Sequence, residues 1–191
     1  MEFPHRAAAP RIAAKPAAAW DARLREQLLG NRPAEMGAAT AEPFNIFKTL
    51  ANHPALAGKF GVWGNQVLFK SSLTPRDREL AILRVGWLCR ATYEWHHHVA
   101  IARDSAGMSA ADIALARTGP ASWSDADDDV LLRAVDELVG DHFVSDATWS
   151  LLAQRFDTVQ LIDFVFAVGQ YTMVSMALTS FGVQLEDEYR N

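Results

Sequence analysis

Cysteine is the scarcest residue of consequence in this chain, because Cys89 is its only thiol among 191 residues. A single thiol excludes both an intramolecular disulfide and a Cys-x-x-Cys redox pair. It also fits a reducing compartment, so we expect a cytoplasmic protein. Residues 1–19 carry no apolar core of the length that a signal peptide needs.

An excess of positive charge is also absent. The chain has 18 Lys and Arg residues against 23 Asp and Glu, a net charge of −5, which predicts neither nucleic acid nor an anionic membrane as a partner. One long apolar run covers Leu161–Phe181, but Asp163, Gln170 and Thr172 interrupt it. We therefore expect a buried core or interface helix there, not a membrane span.

Strand signals are missing as well: the sequence has no useful alternating pattern, no Asn-Gly hairpin and no internal repeat. Helical periodicity and capping residues instead predict an all-α fold, a single-domain bundle of about eight helices over residues 20–191. Residues 1–19 are predicted to be a flexible or partner-docked arm. The expected helices cover about 19–29, 43–51, 54–69, 75–90, 93–106, 109–119 and 124–140, with two more beginning near 145 and 157.

Two of these helices carry the residues of interest. Thr74 and Pro75 form a strong helix start, and the helix that follows is apolar nearly all round, which predicts burial. Cys89 at its end is interpreted as a small buried hydrophobe. The next helix opens with Tyr93-Glu94-Trp95-His96-His97-His98, which holds half of the six histidines.

Helical geometry sorts these histidines. Glu94 and His98 are four residues apart, so their side chains meet on one face at the edge of the apolar seam. His97 is four residues from Tyr93 and flanks the same area, whereas His96 is expected to face solvent. A carboxylate beside an imidazole can fix one tautomer and tune the pKa toward neutrality, as a general base requires. An ordinary Glu–His surface pair has the same spacing.

Glu79 lies one turn into the apolar helix, where a carboxylate is costly unless it is paired. Its partner is either an arginine, such as Arg78 or Arg84, or the site around Glu94 and His98. The residues alone leave both interpretations open.

A metal site is not expected. Consecutive histidines point about 100° apart around a helix, so His96, His97 and His98 cannot reach one ion. Glu94-x-x-His97 matches one element of a di-iron bundle, but no second such element occurs in residues 20–191, and His-Glu-x-x-His is absent.

Taken together, the motifs resemble the carboxymuconolactone decarboxylase family, the wider group that also contains the alkyl-hydroperoxidase D-like proteins. The resemblance is closest over about Leu73–Ile113. It implies a helical fold that assembles into homo-oligomers, commonly trimers or hexamers. It is carried by Thr74–Leu80, Ile82–Gly86, Tyr93-Glu94-Trp95, His98, Ile101-Ala102 and Gly107-Met108-Ser109.

The resemblance implies two activities. Redox members are thiol-dependent peroxidases with a Cys-x-x-Cys pair, whose positions fall here on Ala91 and Glu94; Cys89 occupies neither. A peroxidatic and a resolving thiol are both needed for that cycle, so we expect it to be absent. A peroxidase that uses Cys89 alone, and a non-catalytic helical oligomer or ligand-binding protein, are the alternatives.

Decarboxylase-type members carry Tyr-Glu-Trp and His at these positions and use no cofactor. The resemblance therefore implies an acid/base enzyme acting on a small carboxylated lactone or related acid. His98 is the candidate acid/base, Glu94 orients it, and Glu79 supports or relays the proton. The candidate substrate-binding residues are Tyr93 and His97, as donors to a developing oxyanion, and Arg84, for a carboxylate.

Overall fold

The computed structural model describes residues 6–29, 42–120 and 127–187. In these residues the structure contains nine α-helices and no strand, which confirms the all-α class. Eight of the nine have at least seven residues, in agreement with the expected number. The helices are α1 (Ala22–Leu29), α2 (Asn45–Leu50), α3 (Pro54–Phe69), α4 (Pro75–Leu88), α5 (Thr92–Asp104), α6 (Ala110–Thr118), α7 (Asp127–Gly140), α8 (Asp146–Arg155) and α9 (Thr158–Phe181), with a 3₁₀ turn at Ala17–Ala19.

The described chain divides into two compact units. The first contains Ser71–Ala177, and the second contains the described parts of His5–Lys70 and Leu178–Asn191. The predicted boundary at residue 20, and the predicted cap at Ser124, which lies outside the described residues, stay predictions.

Residues 6–19, the described part of the predicted arm, are held within the second unit. The Arg11 amide donates to the Phe181 carbonyl at 2.8 Å, and the Lys15 amide donates to the Lys48 carbonyl at 2.9 Å. Ala17 is buried beside the apolar face of α1. In this structure the segment is therefore docked on its own chain.

Helix α4 is the centre of the first unit. The Thr74 hydroxyl accepts a hydrogen bond from the Asp77 amide at 3.1 Å, and Pro75 opens the helix, as predicted. The residues from Glu79 to Gly86 are all buried, and the helix packs against α5, α6 and α7. Burial on every side explains why its sequence is apolar nearly all round.

The end of α4 differs from the prediction by two residues. Arg90 has a left-handed backbone with φ of 52°, and its amide donates to the Trp87 carbonyl at 3.0 Å. The Ala91 amide donates to the Gly86 carbonyl at 2.9 Å, which completes a Schellman motif. This turn places Cys89 at the C-cap, half-buried, and not among the buried core residues as we expected.

Helix α9 is long and apolar enough to cross a membrane, but half of its most apolar stretch is buried within the protein. Phe164 is fully buried, as predicted, and Asp163 accepts a 2.6 Å hydrogen bond from the Ser72 amide. Phe166 and Met173, which we expected in the core, are 55% and 45% exposed. The helix is therefore a core helix of the first unit with one side uncovered.

Arg84 corrects a predicted role. Its Nε and one terminal nitrogen donate to both oxygens of Asp136 on α7, at 2.6 and 2.8 Å. Its other terminal nitrogen donates to the carbonyls of Ala116 and Arg117 at the end of α6. Arg84 joins three helices, and its contacts among the described residues are with Asp136 and the two carbonyls, not with Glu79. The sequence missed this because Asp136 lies 52 residues away.

We expect Gly119→Ala to destabilise the first unit. Gly119 has φ of +75°, and an added Cβ would overlap the Arg84 guanidinium. Unfavourable backbone and steric terms should lower the free energy of unfolding by about 1–3 kcal/mol, measured by urea denaturation. The control is Gly140→Ala, whose added Cβ meets nothing within 4 Å. Equal stability of the two variants would contradict this account.

Candidate functional site

Glu79, Glu94 and His98 meet in the first unit, between α4 and α5. The His98 Nδ1 lies 2.7 Å from one Glu79 carboxylate oxygen, and its Nε2 lies 3.3 Å from a Glu94 oxygen. All three side chains are buried, and Glu79 is fully inaccessible. Gly86 on α4 lies opposite Glu94 and Trp95, at distances where an added Cβ would make ordinary van der Waals contacts.

The geometry favours a His98 ring that carries two protons. A neutral imidazole has one N–H donor and one lone pair, and that lone pair would face a carboxylate. Burial by itself lowers the pKa of His98. The charges of Glu79 and Glu94 and their hydrogen bonds to the ring outweigh it, raising the pKa from 6.5 to about 9. The side chain is therefore an imidazolium near neutral pH.

This finding corrects two expectations. We expected Glu94 to tune the pKa of His98 toward neutrality for a general base, but two carboxylates hold the proton on instead. We also expected Glu94 to be the orienting residue, whereas Glu79 makes the shorter contact and is the more deeply buried. Glu79 lies in the site, where its carboxylate contacts His98. The Arg78 Nε also donates a hydrogen bond to Glu79, at 3.4 Å.

Tyr171 on α9 is a member of the site that motif reasoning did not select. Its ring meets the His98 ring edge to face, with centroids 4.8 Å apart. Burial raises the pKa of Tyr171 well above its ordinary value, the charges of Glu79 and Glu94 raise it further, and the charge of Arg78 opposes them. Its hydroxyl is therefore a neutral donor. The only sequence signal was a polar interruption of the apolar run.

The residue before it, Gln170, is also buried, and its side-chain oxygen has no hydrogen-bond partner in the structure. A buried amide oxygen without a donor costs stability unless something supplies one. Gln170 and Tyr171 thus mark the polar part of α9.

Tyr93 and His97 form a separate pair on α5. Both are buried, and their rings lie 4.4 Å apart with a tilt of 33°. His96 was expected to face solvent, but it is half-buried, and its Nδ1 lies 2.8 Å from the Thr92 carbonyl. The structure thus joins Glu79, Glu94 and His98 with Tyr171, and it pairs Tyr93 with His97.

No group of three or more histidine, cysteine or acidic side chains in the described ranges has the arrangement of a metal site. Both nitrogens of His98 face carboxylates. The arrangement can hold, donate and recover a proton in a desolvated position.

Comparison with known proteins places this site in context. Residues 54–136 match the model of the carboxymuconolactone decarboxylase family. No curated protein matches the chain.

Three crystal structures share the fold, each at 18% identity. An alkylhydroperoxidase AhpD core from Ralstonia eutropha JMP134, an uncharacterized peroxidase-related protein, covers 98% of this chain and 95% of its own, with a TM-score of 0.77. The match to an uncharacterized peroxidase-related protein from Silicibacter sp. TM1040 covers 77% of this chain and 78% of that protein, with a TM-score of 0.67. The match to a putative antioxidant defence protein AhpD from Agrobacterium tumefaciens covers 72% of this chain and 94% of that protein, with a TM-score of 0.62.

At this identity the three structures establish the fold, an AhpD-like helical one. The family match spans α3 to α7 and includes the carboxylates and the histidine of the site. Residues 54–136 thus match the carboxymuconolactone decarboxylase family, within a chain whose fold is similar to that of AhpD-like proteins.

We expect the imidazole of His98 to titrate near pH 9 in ¹⁵N-histidine NMR spectra. Glu79→Gln removes the closest negative charge and should lower that pKa by about 1–3 units. Asp104→Asn, an equal change of charge on an exposed residue of α5, is the control. Titration of wild-type His98 near 6.5 would contradict the two-carboxylate account.

The same pairing makes stability depend on pH. The folded-state pKa lies above the unfolded one, so the stabilisation is fully present below about pH 6.5 and is lost as the pH rises through about 9. The thermal midpoint should fall across this window, and the fall should be smaller in His98→Gln. Parallel curves for the two proteins would count against the prediction.

Proposed function

We propose that the protein is a cofactor-independent acid/base enzyme, of the carboxymuconolactone decarboxylase type, acting on a small carboxylated lactone or related acid. The observation that carries the proposal is the buried His98 imidazolium between Glu79 and Glu94. Such a group can deliver a proton to carbon, and the two carboxylates favour its reprotonation by water.

In the decarboxylation that we favour, the bond between the carboxylate carbon and the adjacent carbon breaks, and carbon dioxide leaves. The electron pair stays on the substrate as an enolate. The His98 imidazolium then donates a proton to the enolate carbon and becomes neutral, and it regains a proton from water. The neutral Tyr171 hydroxyl can donate a hydrogen bond to the enolate oxygen. Isomerisation by proton transfer would use the same residues.

The role also needs a proton that stays available at neutral pH. A pKa of about 9 keeps His98 charged in a cytoplasm, where we propose that the protein works, as a homo-oligomer. A general acid with this pKa should sustain kcat/KM up to about pH 9 and lose it above.

The second candidate is a thiol-dependent peroxidase, which the peroxidase-related fold neighbours suggest. Cys89 would have to act alone, since the chain has no resolving thiol. Peroxide consumption that is abolished by Cys89→Ser would favour this candidate. A non-catalytic ligand-binding oligomer is the third candidate, and it predicts no turnover by either assay.

We expect His98→Ala, Glu94→Gln and Glu79→Gln each to lower turnover by about 100-fold or more, because each removes the proton or a group that holds it. The assay is carbon dioxide release from a panel of carboxylated lactones and β-keto acids. Far-UV circular dichroism reports whether each variant remains folded.

Two controls sharpen this test. His142→Asn removes an exposed histidine between α7 and α8, and Cys89→Ser removes the thiol; both should keep wild-type turnover. Full activity in folded His98→Ala would contradict the proposal.

A further inference from the structure

Arg78 has terminal donors that the described residues do not use. Its Nε donates to Glu79 at 3.4 Å, but a guanidinium carries five N–H groups, four of them on the two terminal nitrogens. Among the described residues, no hydrogen bond or ion pair engages those terminal nitrogens. Arg84 and Arg76, on the same helix, use their terminal nitrogens on aspartates.

Arg78 is more exposed than the other charged residues of the site. Its side chain is 12% exposed, whereas the side chains of Glu79, His98 and Glu94 are 0%, 6% and 7% exposed. Its charge also acts on the phenol of Tyr171 and lowers the pKa of that group. The guanidinium therefore lies between the buried acid/base group and the outside.

We propose that Arg78 is the residue that binds a carboxylate of the substrate. Its Nε stays on Glu79 while its terminal nitrogens form the two parallel hydrogen bonds that a carboxylate accepts from arginine. Arg78 thus takes the role that the sequence suggested for Arg84.

The charges around the site agree with an anionic ligand. Glu79 and Glu94 contribute two negative charges, and His98 and Arg78 contribute two positive ones. The buried His98 charge faces its own carboxylates, so among the charged groups described in the site it is Arg78 that has unused donors for an anion. Because an arginine stabilises the carboxylate that it holds, Arg78 suits an acid group that the product retains, not one that leaves as carbon dioxide.

This inference rests on the proposed function, but it is tested by binding without turnover. The probe is 5-oxotetrahydrofuran-2-carboxylate, a lactone acid, and its uncharged methyl ester is the comparison ligand. Isothermal titration calorimetry gives the dissociation constant for wild type, Arg78→Gln, Arg78→Lys and Arg103→Gln. Arg103 is an exposed arginine on α5, so its variant changes the net charge equally.

We expect Arg78→Gln to bind the acid about tenfold more weakly or worse, and Arg78→Lys to fall between it and wild type, since lysine keeps the charge without the fork. Arg103→Gln should bind like wild type, and the ester should bind wild type and Arg78→Gln equally weakly. If Arg78→Gln does not fold, Arg78→Lys must still bind at least about threefold more weakly.

Unchanged affinity in the Arg78 variants, equal loss in Arg103→Gln, or no saturable binding of the acid by wild type would overturn the proposal. The turnover assay tests the acid/base proposal independently of this binding experiment. A protein that binds the acid through Arg78 but turns nothing over would lose the proposed function and keep this inference.

Discussion

The site depends on one interaction, the contact of a buried imidazolium with two buried carboxylates. Each partner would be costly in this position alone, because a desolvated charge without a counter-charge is strongly unfavourable. Together Glu79, His98 and Glu94 satisfy both ring nitrogens and keep the proton on the ring above neutral pH. A buried proton that is both held and exchangeable is the basis of the proposed chemistry.

The helices are arranged so that this contact can form. Helix α4 brings Glu79 into the core of the first unit, and the Schellman turn at Arg90 reverses the chain into α5, which carries Glu94 and His98. Arg84 holds α4 to α6 and α7 through Asp136 and two carbonyls. Helix α9 supplies Tyr171 from more than seventy residues along the chain.

Local sequence signals were sufficient to predict many of the helices and part of the site. Helix α3 begins at Pro54 and ends at Phe69, as its pattern predicts, and the Thr74 cap forms as expected. The last helix begins at Thr158, near the predicted residue 157, and Asp157 and Gln160 cap it reciprocally. The Glu94–His98 pair follows from helical spacing. These features depend on residues within one or two turns of each other, where sequence reasoning is strong.

Pairs of residues that lie far apart in the sequence could not be predicted in this way. Glu79 lies 19 residues before His98, and Arg84 lies 52 before Asp136, so neither pairing could be chosen from spacing. The pKa of His98 is raised further than predicted, because the sequence left open whether Glu79 pairs with it. The most direct test is neutron diffraction from crystals at neutral pD. The account predicts deuterium on both ring nitrogens of His98; a bare nitrogen facing either carboxylate would contradict it.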